Sequence, residues 1–355
     1  MESGFALAPF FQSEYSGNRP RSTDRNEAAL RGNKGMFRYI LRRIYQMIVI
    51  LVIVSFVVFL LIQLIPGDVA TALLGEGASE KDYQLLREKL GLDRPIYIRY
   101  LKWAGNMLRG DLGHSVINKF PVTQLFAQRL PYTIQLAVCG MILAIVISIP
   151  LGIVAALKQN SVIDASIRGF STFGTAMPNF WLGLILILIF SLWLRWLPSS
   201  GMTSLSNGFF KWLARMIMPA MTIGIRFSAI VVRQTRAAFL EILKADYIRT
   251  ARAKGVSEFS VNYKHVLRNA LIPVITVIGL QLGRLIGGAV VTEMIFQVPG
   301  MGSLIADAVF SRDIAVIQGG VMIATLGVLG INFIVDIVYG LVDPRVRTSG
   351  VRKSR

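Results

Sequence analysis

Residues 245–273 have the sequence ADYIRTARAKGVSEFSVNYKHVLRNALIP. This basic, polar stretch decides the fold because apolar segments flank it on both sides. A polar connection of this length is uncommon in a compact domain unless it has a function of its own. We therefore expect it to form a docking surface and not a simple connector.

The pattern inside residues 236–269 predicts two helices joined by a tight turn. Four side chains recur at helical spacing and predict one continuous helical face: Leu240, Leu243, Tyr247 and Ala251. Gly255 predicts the end of that helix, and Ser257 predicts the cap of a second helix that runs toward Asn269. The expected product is a compact helical hairpin that projects from its surroundings.

The composition predicts an all-α membrane protein with several spans. The chain has 355 residues, 54% of them hydrophobic and only 16% charged, and its mean hydropathy is +0.56. Soluble domains carry about 25% charged residues. Six apolar runs are near the ~20 residues that a span needs: 44–65, 131–157, 164–197, 212–232, 270–291 and 315–341. The third run is too long for one straight helix, so it predicts either a kinked span or a short amphipathic helix followed by a span.

The positions of the Lys and Arg residues, more than the net charge of +18, predict an orientation. The Lys and Arg residues cluster before the first run, after the second, in 236–269 and after the sixth, which six spans would place on one side. The positive-inside rule makes that side cytoplasmic, with both termini inside and 66–130 outside. We expect a disordered cytoplasmic tail over 1–35, a transmembrane domain over 36–345 and a short cytoplasmic tail over 346–355. Without a basic stripe that alternates with exposed aromatics, no nucleic-acid partner is expected.

The sequence contains no motif for catalysis, metal binding or nucleotide binding. Cys139 is the single cysteine, and His114 and His265 have no neighbours at ligand spacing, so neither a disulfide nor a metal site is expected. A P-loop needs Gly-Lys followed by Ser or Thr, and the chain has no Gly-Lys dipeptide. No HExxH or GxSxG motif occurs either. We therefore expect a protein that is not an enzyme and holds no cofactor.

The segment 66–130 predicts two short helices. One begins after Ser79 and ends at Gly91, and the other begins at Pro95. The apolar face of the second helix consists of Ile96, Tyr100, Trp103 and Met107. The two helices could lie over a pore mouth or on the outer membrane surface, or they could pack against the spans, and the last alternative is favoured.

Several motifs together resemble the permeases of binding-protein-dependent ABC importers, and more narrowly the oligopeptide/dipeptide permease family. They are TARAKG and RNALIP in the polar stretch, IPGD at 65–68, GDLGHS at 110–115, MPNFWLG at 177–183, FQVPGMGSLIADAVFSRD at 296–313 and LVDPRVR at 341–347. The wider superfamily often has Glu-Ala-Ala in the polar stretch. This chain instead has Thr250-Ala251-Arg252-Ala253, as in the peptide branch.

The resemblance implies a type I ABC importer permease fold in a bacterial plasma membrane, the inner membrane if the cell is Gram-negative. It implies a second homologous permease, expected as a heterodimer, two ATPase subunits that bind ATP and Mg, and an external solute-binding protein. The polar stretch becomes the coupling loop to the ATPases. Its expected residues are Asp246, Tyr247, Thr250, Ala251, Arg252, Ala253, Lys254 and Gly255.

Charges and glycines within the spans are candidates for a pathway or a subunit seam. Arg284 could line a pathway, form an internal ion pair or snorkel, whereas Asp336 favours packing or an interfacial pair. Arg226 and Glu293 are weaker candidates. Gly279, Gly283 and Gly287 predict a smooth helix face, which could pack inside the subunit or form the seam with the second permease.

The resemblance implies import of dipeptides or short oligopeptides. Nickel chelates, glutathione and other peptide-like solutes remain alternatives within the same transporter class. A secondary transporter driven by an ion gradient is a more distant alternative, but no internal repeat is found and the cytoplasmic hairpin would have no purpose. An intramembrane enzyme lacks a catalytic pair.

Overall fold

The computed structural model describes residues 22–63, 79–90 and 93–342, without the side chains of 284–288 among others. Within these ranges the regular structure is helical and contains no strand. The helices are α1 (Ser22–Gln63), α2 (Glu80–Leu90), α3 (Ile96–Leu108), α4 (Val122–Leu157), α5 (Val162–Ala176), α6 (Asn179–Leu186), α7 (Phe209–Leu243), α8 (Asp246–Ala253), α9 (Glu258–Ser260), α10 (Leu267–Phe296), α11 (Met301–Phe310) and α12 (Ile314–Val342). A π-helical segment, Ile187–Trp193, continues α6, and another, Val261–Val266, joins α9 to α10.

The helices fit the prediction of an all-α membrane protein. In the described part of the chain, five helices are long and apolar enough to cross a membrane, or up to seven if each of two bent pairs counts as one span. The predicted number, six, falls within this range without being fixed by it. Helices suit a bilayer because each satisfies its backbone polar groups internally.

The first helix begins earlier than the sequence predicts. Helix α1 starts at Ser22, inside the segment 1–35 for which a disordered cytoplasmic tail is predicted. Residues such as Ala, Leu and Arg favour helix, and extending a helix that already exists avoids the cost of nucleation. Residues 1–21, the IPGD motif at 65–68 and the predicted C-terminal tail at 346–355 lie outside the described residues.

The long third run is broken and does not form one straight helix. Helices α5 and α6 are bent by 108° at a break that contains Met177 and Pro178. Met177 is extended, with ψ 131°, as expected for a residue that precedes proline. A single straight span over 164–197 is therefore excluded. The neighbouring helices extend beyond the predicted apolar runs: α4 already begins at Val122, and α7 continues to Leu243.

The core of the fold is the contact between α4 and α7. Three glycines let the two backbones approach closely. A Cβ added at Gly152 would lie 2.5 Å from the Cβ of Thr235, and one added at Gly224 would lie 2.9 Å from the carbonyl oxygen of Gly140. Side chains that pack around this contact include Leu136, Met141, Met216, Ala220 and Ile223. Small residues provide this close packing in membrane helices, where lipid removes the usual hydrophobic drive.

The two short helices predicted in 66–130 are present, and α3 packs on the first span. The hydroxyls of Tyr100 and Ser55 lie 2.9 Å apart. The Tyr100 ring also meets Phe56 edge-on at 5.4 Å between centroids, and Trp103 lies 5.8 Å from Phe59. Packing against a span, the favoured alternative, is therefore confirmed for α3.

Gly152→Ala is expected to destabilise the chain because the new methyl group would collide with Thr235 across the α4–α7 contact. Overpacking of this kind costs about 1–3 kcal/mol. The matched control is Gly169→Ala in α5, where a Cβ would meet nothing within 4 Å. That change should be neutral or raise stability by up to about 1 kcal/mol, because alanine favours helix. Thermal unfolding of both variants in detergent measures the difference, and equal melting temperatures would contradict this account of the contact.

Candidate functional site

The polar stretch 245–269 forms the predicted hairpin, but its first helical face differs from the prediction. Helix α7 ends at Leu243, and Ala245 is extended with ψ 143°, so α8 starts with a new phase. The prediction of one continuous face from Leu240 to Ala251 is therefore wrong. In α8 the fully buried residue is Ile248, whereas Tyr247, which was predicted to lie on the continuous face, is 46% exposed.

The turn after α8 is a complete Schellman motif. Gly255 has a φ of +77°, a left-handed conformation that glycine adopts without steric cost. The Gly255 N–H donates to the Arg252 carbonyl at 2.9 Å, and the Val256 N–H donates to the Ala251 carbonyl at 3.2 Å. These two bonds satisfy the last carbonyls of α8. The predicted break at Gly255 is confirmed.

The second half of the hairpin is fastened to the first by side chains. The Ser257 hydroxyl accepts from the Ser260 N–H at 3.4 Å, so the predicted cap is present. The Arg252 guanidinium donates to both carboxylate oxygens of Glu258, at 2.8 and 3.2 Å. At the other end, the Asn269 amide donates to the Tyr247 hydroxyl at 3.1 Å. Both ends of the hairpin are therefore closed.

The underside of the hairpin is part of the protein core. Ile248 from α8 and Val261 and Val266 from the π-helical segment are buried in one cluster. The same cluster contains Phe239 of α7 and Ile153 of α4. Because interiors are close-packed, the hairpin and the ends of these helices form one rigid unit.

The upper surface of the hairpin carries the residues predicted from the sequence. Seven of the eight are exposed and Ala251 is half-buried; the exposed ones are Asp246, Tyr247, Thr250, Arg252, Ala253, Lys254 and Gly255. Sequence reasoning missed Phe259 and Tyr263, which are 72% and 51% exposed with ring centroids 4.5 Å apart. Their spacing of four residues, just after a capping serine, was the available signal.

A buried ion pair holds the base of the same region. Asp164 at the start of α5 is completely buried, and it accepts from Nε and Nη2 of Arg236 of α7 at 2.7 and 2.8 Å. The Asn160 N–H also donates to this carboxylate at 3.1 Å. A bidentate arginine with an added backbone donor compensates the removal of the carboxylate from water.

Glu293 closes the opposite end of α10. Its buried carboxylate accepts from the Thr133 hydroxyl at 2.6 Å and from the Ser303 N–H at 2.9 Å. It therefore takes the place of a capping residue at the start of α11. A Cβ at Gly300 or Gly302 would collide with this carboxylate, which explains the glycines of the motif VPGMG.

Two of the quoted motifs meet in space. The Ser115 hydroxyl of GDLGHS donates to the buried carboxylate of Asp313, the last residue of FQVPGMGSLIADAVFSRD. Asp313 also accepts from the Val316 N–H at 3.4 Å, at the start of α12. This contact joins residues 198 positions apart and could not be derived from local spacing.

The glycines of α10 pack inside the subunit. A Cβ at Gly279 would lie 2.6 Å from a methyl group of Val335, and one at Gly283 would collide with Asn332, both on α12. The intramolecular alternative therefore holds for these two glycines. Arg284 and Gly287 lie outside the residues whose side chains the structure describes, so their predicted roles remain predictions.

The remaining span charges occupy two different settings. Asp336 of α12 pairs with Arg43 of α1 at 2.9 Å, as the favoured alternative predicts. Arg226 is exposed in the middle of α7, and its guanidinium donates to the amide oxygen of Asn179 at 3.4 Å.

Comparison with known proteins gives two family matches. Residues 148–348 match the family described as "Binding-protein-dependent transport system inner membrane component". Residues 36–137 match its N-terminal counterpart, described as "Binding-prot-dependent transport system membrane comp, N-term".

Curated relatives align along nearly their whole length. The oligopeptide transport system permease protein AppB of Bacillus subtilis is 44% identical over 88% of this chain and 99% of the relative. The probable peptide ABC transporter permease protein y4tP of Sinorhizobium fredii is 42% identical over 87% of this chain and 99% of the relative. The dipeptide transport system permease protein DppB of Escherichia coli K12 is 38% identical, with coverage of 88% and 99%. The resemblance drawn from the motifs is confirmed.

Proposed function

Because this chain belongs to the family of binding-protein-dependent transport system inner membrane components, we propose that it is a permease subunit of an importer for dipeptides or short oligopeptides. As a membrane subunit of that family it is not itself an enzyme. The observation that carries the proposal is the hairpin, which is closed at both ends, anchored below by Ile248 and exposed above. The names of three relatives that align over nearly their full length support peptides as the cargo.

The proposed complex contains two permeases and two ATPases. The exposed surface of the hairpin would dock on an ATPase, which holds ATP and Mg, so that closure of the ATPases moves α4, α7 and α10 through the shared core. A second homologous permease would complete the pathway, and an external solute-binding protein would deliver the cargo. The exposed rings of Phe259 and Tyr263 suit such a docking surface, because aromatic residues are enriched where partners meet.

The proposal places the hairpin and both termini in the cytoplasm of a bacterium, as the Lys and Arg distribution predicts. In a Cys139→Ala background, an introduced cysteine at Ser257 should react with an impermeant maleimide only after the cells are opened. A cysteine at Ser206, in the exposed connection before α7, should react in intact cells. Labelling of Ser257→Cys from outside intact cells would show that the hairpin faces outward, opposite to the proposed orientation.

Peptide import is expected to require the whole complex. Proteoliposomes with both permeases, both ATPases and the solute-binding protein should accumulate radiolabelled di- and tripeptides when ATP and Mg are present, and should not when a non-hydrolysable ATP analogue replaces ATP. Uptake of a nickel chelate or glutathione without peptide uptake would contradict the assigned cargo, while the assignment as an ATP-driven importer would stand. Uptake driven by an ion gradient without ATP would show that the protein is not part of an ATP-driven importer.

Gly255→Val is expected to uncouple transport while the spans still fold. The left-handed backbone at Gly255 makes a side chain with a branched Cβ unfavourable by about 1–2 kcal/mol. Since a Cβ there would meet nothing within 4 Å, the penalty comes from the backbone alone. The variant should insert and pair with the second permease, but it should retain the ATPases poorly or hydrolyse ATP without import.

Gly255→Asn is the matched control, because asparagine tolerates the left-handed region and the site has room for its side chain. It should keep most of the import rate. Copurification of the ATPases and the number of peptides imported per ATP measure both variants. Normal import and normal ATPase retention in Gly255→Val would show that this turn does not position the coupling surface.

A further inference from the structure

The four arginines of α7 fall into two groups. They are Arg215, Arg226, Arg233 and Arg236. Arg236 is largely buried and is neutralised by Asp164, and Arg215 donates to the Ser200 carbonyl near the outer end of the helix. Arg226 and Arg233 are exposed, and among the described residues no carboxylate pairs with either. Among the described residues, they are the two arginines of this helix that are exposed and have only neutral partners.

Both exposed arginines face the corner between α5 and α6. Arg226 donates to Asn179 at the start of α6. Arg233 donates to the Thr175 hydroxyl at 3.1 Å and to the Ser171 carbonyl at 3.3 Å, both near the end of α5. Because the two arginines are seven residues apart, they lie on one face of α7, roughly 10 Å from each other. The partners are neutral oxygens that orient the guanidiniums and leave N–H donors available.

The depth of Arg226 makes contact with lipid unfavourable. It lies roughly 20 Å along the helix axis from Trp212, inside the apolar part of α7. A charged side chain at such a depth faces protein or water, because contact with hydrocarbon is costly. Among the described residues of its own subunit, the Asn179 oxygen is its one hydrogen-bond partner. The exposed side of Arg226 therefore faces something beyond this chain.

We propose that Arg226 and Arg233 line the translocation pathway and bind in turn the C-terminal carboxylate of the imported peptide. This inference rests on the proposed function and deepens it by naming the recognised group. Every unmodified peptide carries that carboxylate, and an arginine with free donors is suited to it through paired N–H···O bonds. Arg226 is the deeper site, and Arg233 lies toward the hairpin, so a carboxylate released by the first reaches the second on its way inward.

The experiment compares a tripeptide with its C-terminally amidated form in proteoliposomes that contain the complete complex. Each peptide is supplied at a concentration that saturates the solute-binding protein, whose affinity for both is measured separately. Arg226→Gln should lower import of the free acid at least about tenfold, the size expected for a lost charge-assisted hydrogen bond. Import of the amide should stay within about twofold of wild type. Arg233→Gln should act in the same direction.

Arg215→Gln is the control that removes an equal charge from the same helix, and it should change neither rate. Equal loss for acid and amide in Arg226→Gln would overturn the proposal, as would unchanged import of both. Loss of the second permease from purified Arg226→Gln complex would also overturn it, because the arginine would then hold a subunit interface. If wild-type complex imports neither tripeptide, the proposed function fails instead, so the two failures are distinguishable.

Discussion

The close approach of α4 and α7 is the contact on which the rest of the structure depends. Glycines on both helices remove the side chains that would hold the backbones apart, and Leu136 and Met216 fill the space around them. Association in a bilayer relies on such van der Waals packing because lipid is as apolar as the helix faces. Helix α7 then serves as the common wall for α5, α6 and α10. A change in this contact would alter the position of every element that α7 touches.

The hairpin inherits its rigidity from the same pair of helices. Ile248 is enclosed by residues of α4, α7 and α10, so the hairpin moves only if the adjoining ends of those helices move with it. Close packing transmits a displacement of this kind, since a densely packed core has few voids and low compressibility. Asp164 and Arg236 add a fixed link from α7 to α5 at the same level. A force applied to the exposed surface of the hairpin is therefore shared among four helices.

Local chemistry in the sequence predicted more of the hairpin than of the spans. Gly255 and Ser257 were predictable because turn and cap preferences act within a few residues. The bounds of α4 and α7 were not, because hydropathy marks the lipid boundary whereas the helices continue beyond it. The prediction of one helical face through Leu240 and Tyr247 was wrong because one extended residue, Ala245, interrupts the helix and changes its phase. The Glu293 cap and the contact between Ser115 and Asp313 were unpredictable, since both join residues far apart in sequence.

The partners that the chain provides separate the charged residues that hold the fold from those that face outward. Asp164 and Glu293 are both buried, and each is satisfied by several donors within the chain. Removing one donor from such a site leaves a buried carboxylate oxygen without a partner, so these carboxylates fix the starts of α5 and α11. Arg226 and Arg233 are the same residue type as Arg236, yet their partners among the described residues are neutral oxygens. The positive-inside rule counts all three alike. The fold pairs Arg236 with Asp164, whereas no carboxylate among the described residues pairs with the other two.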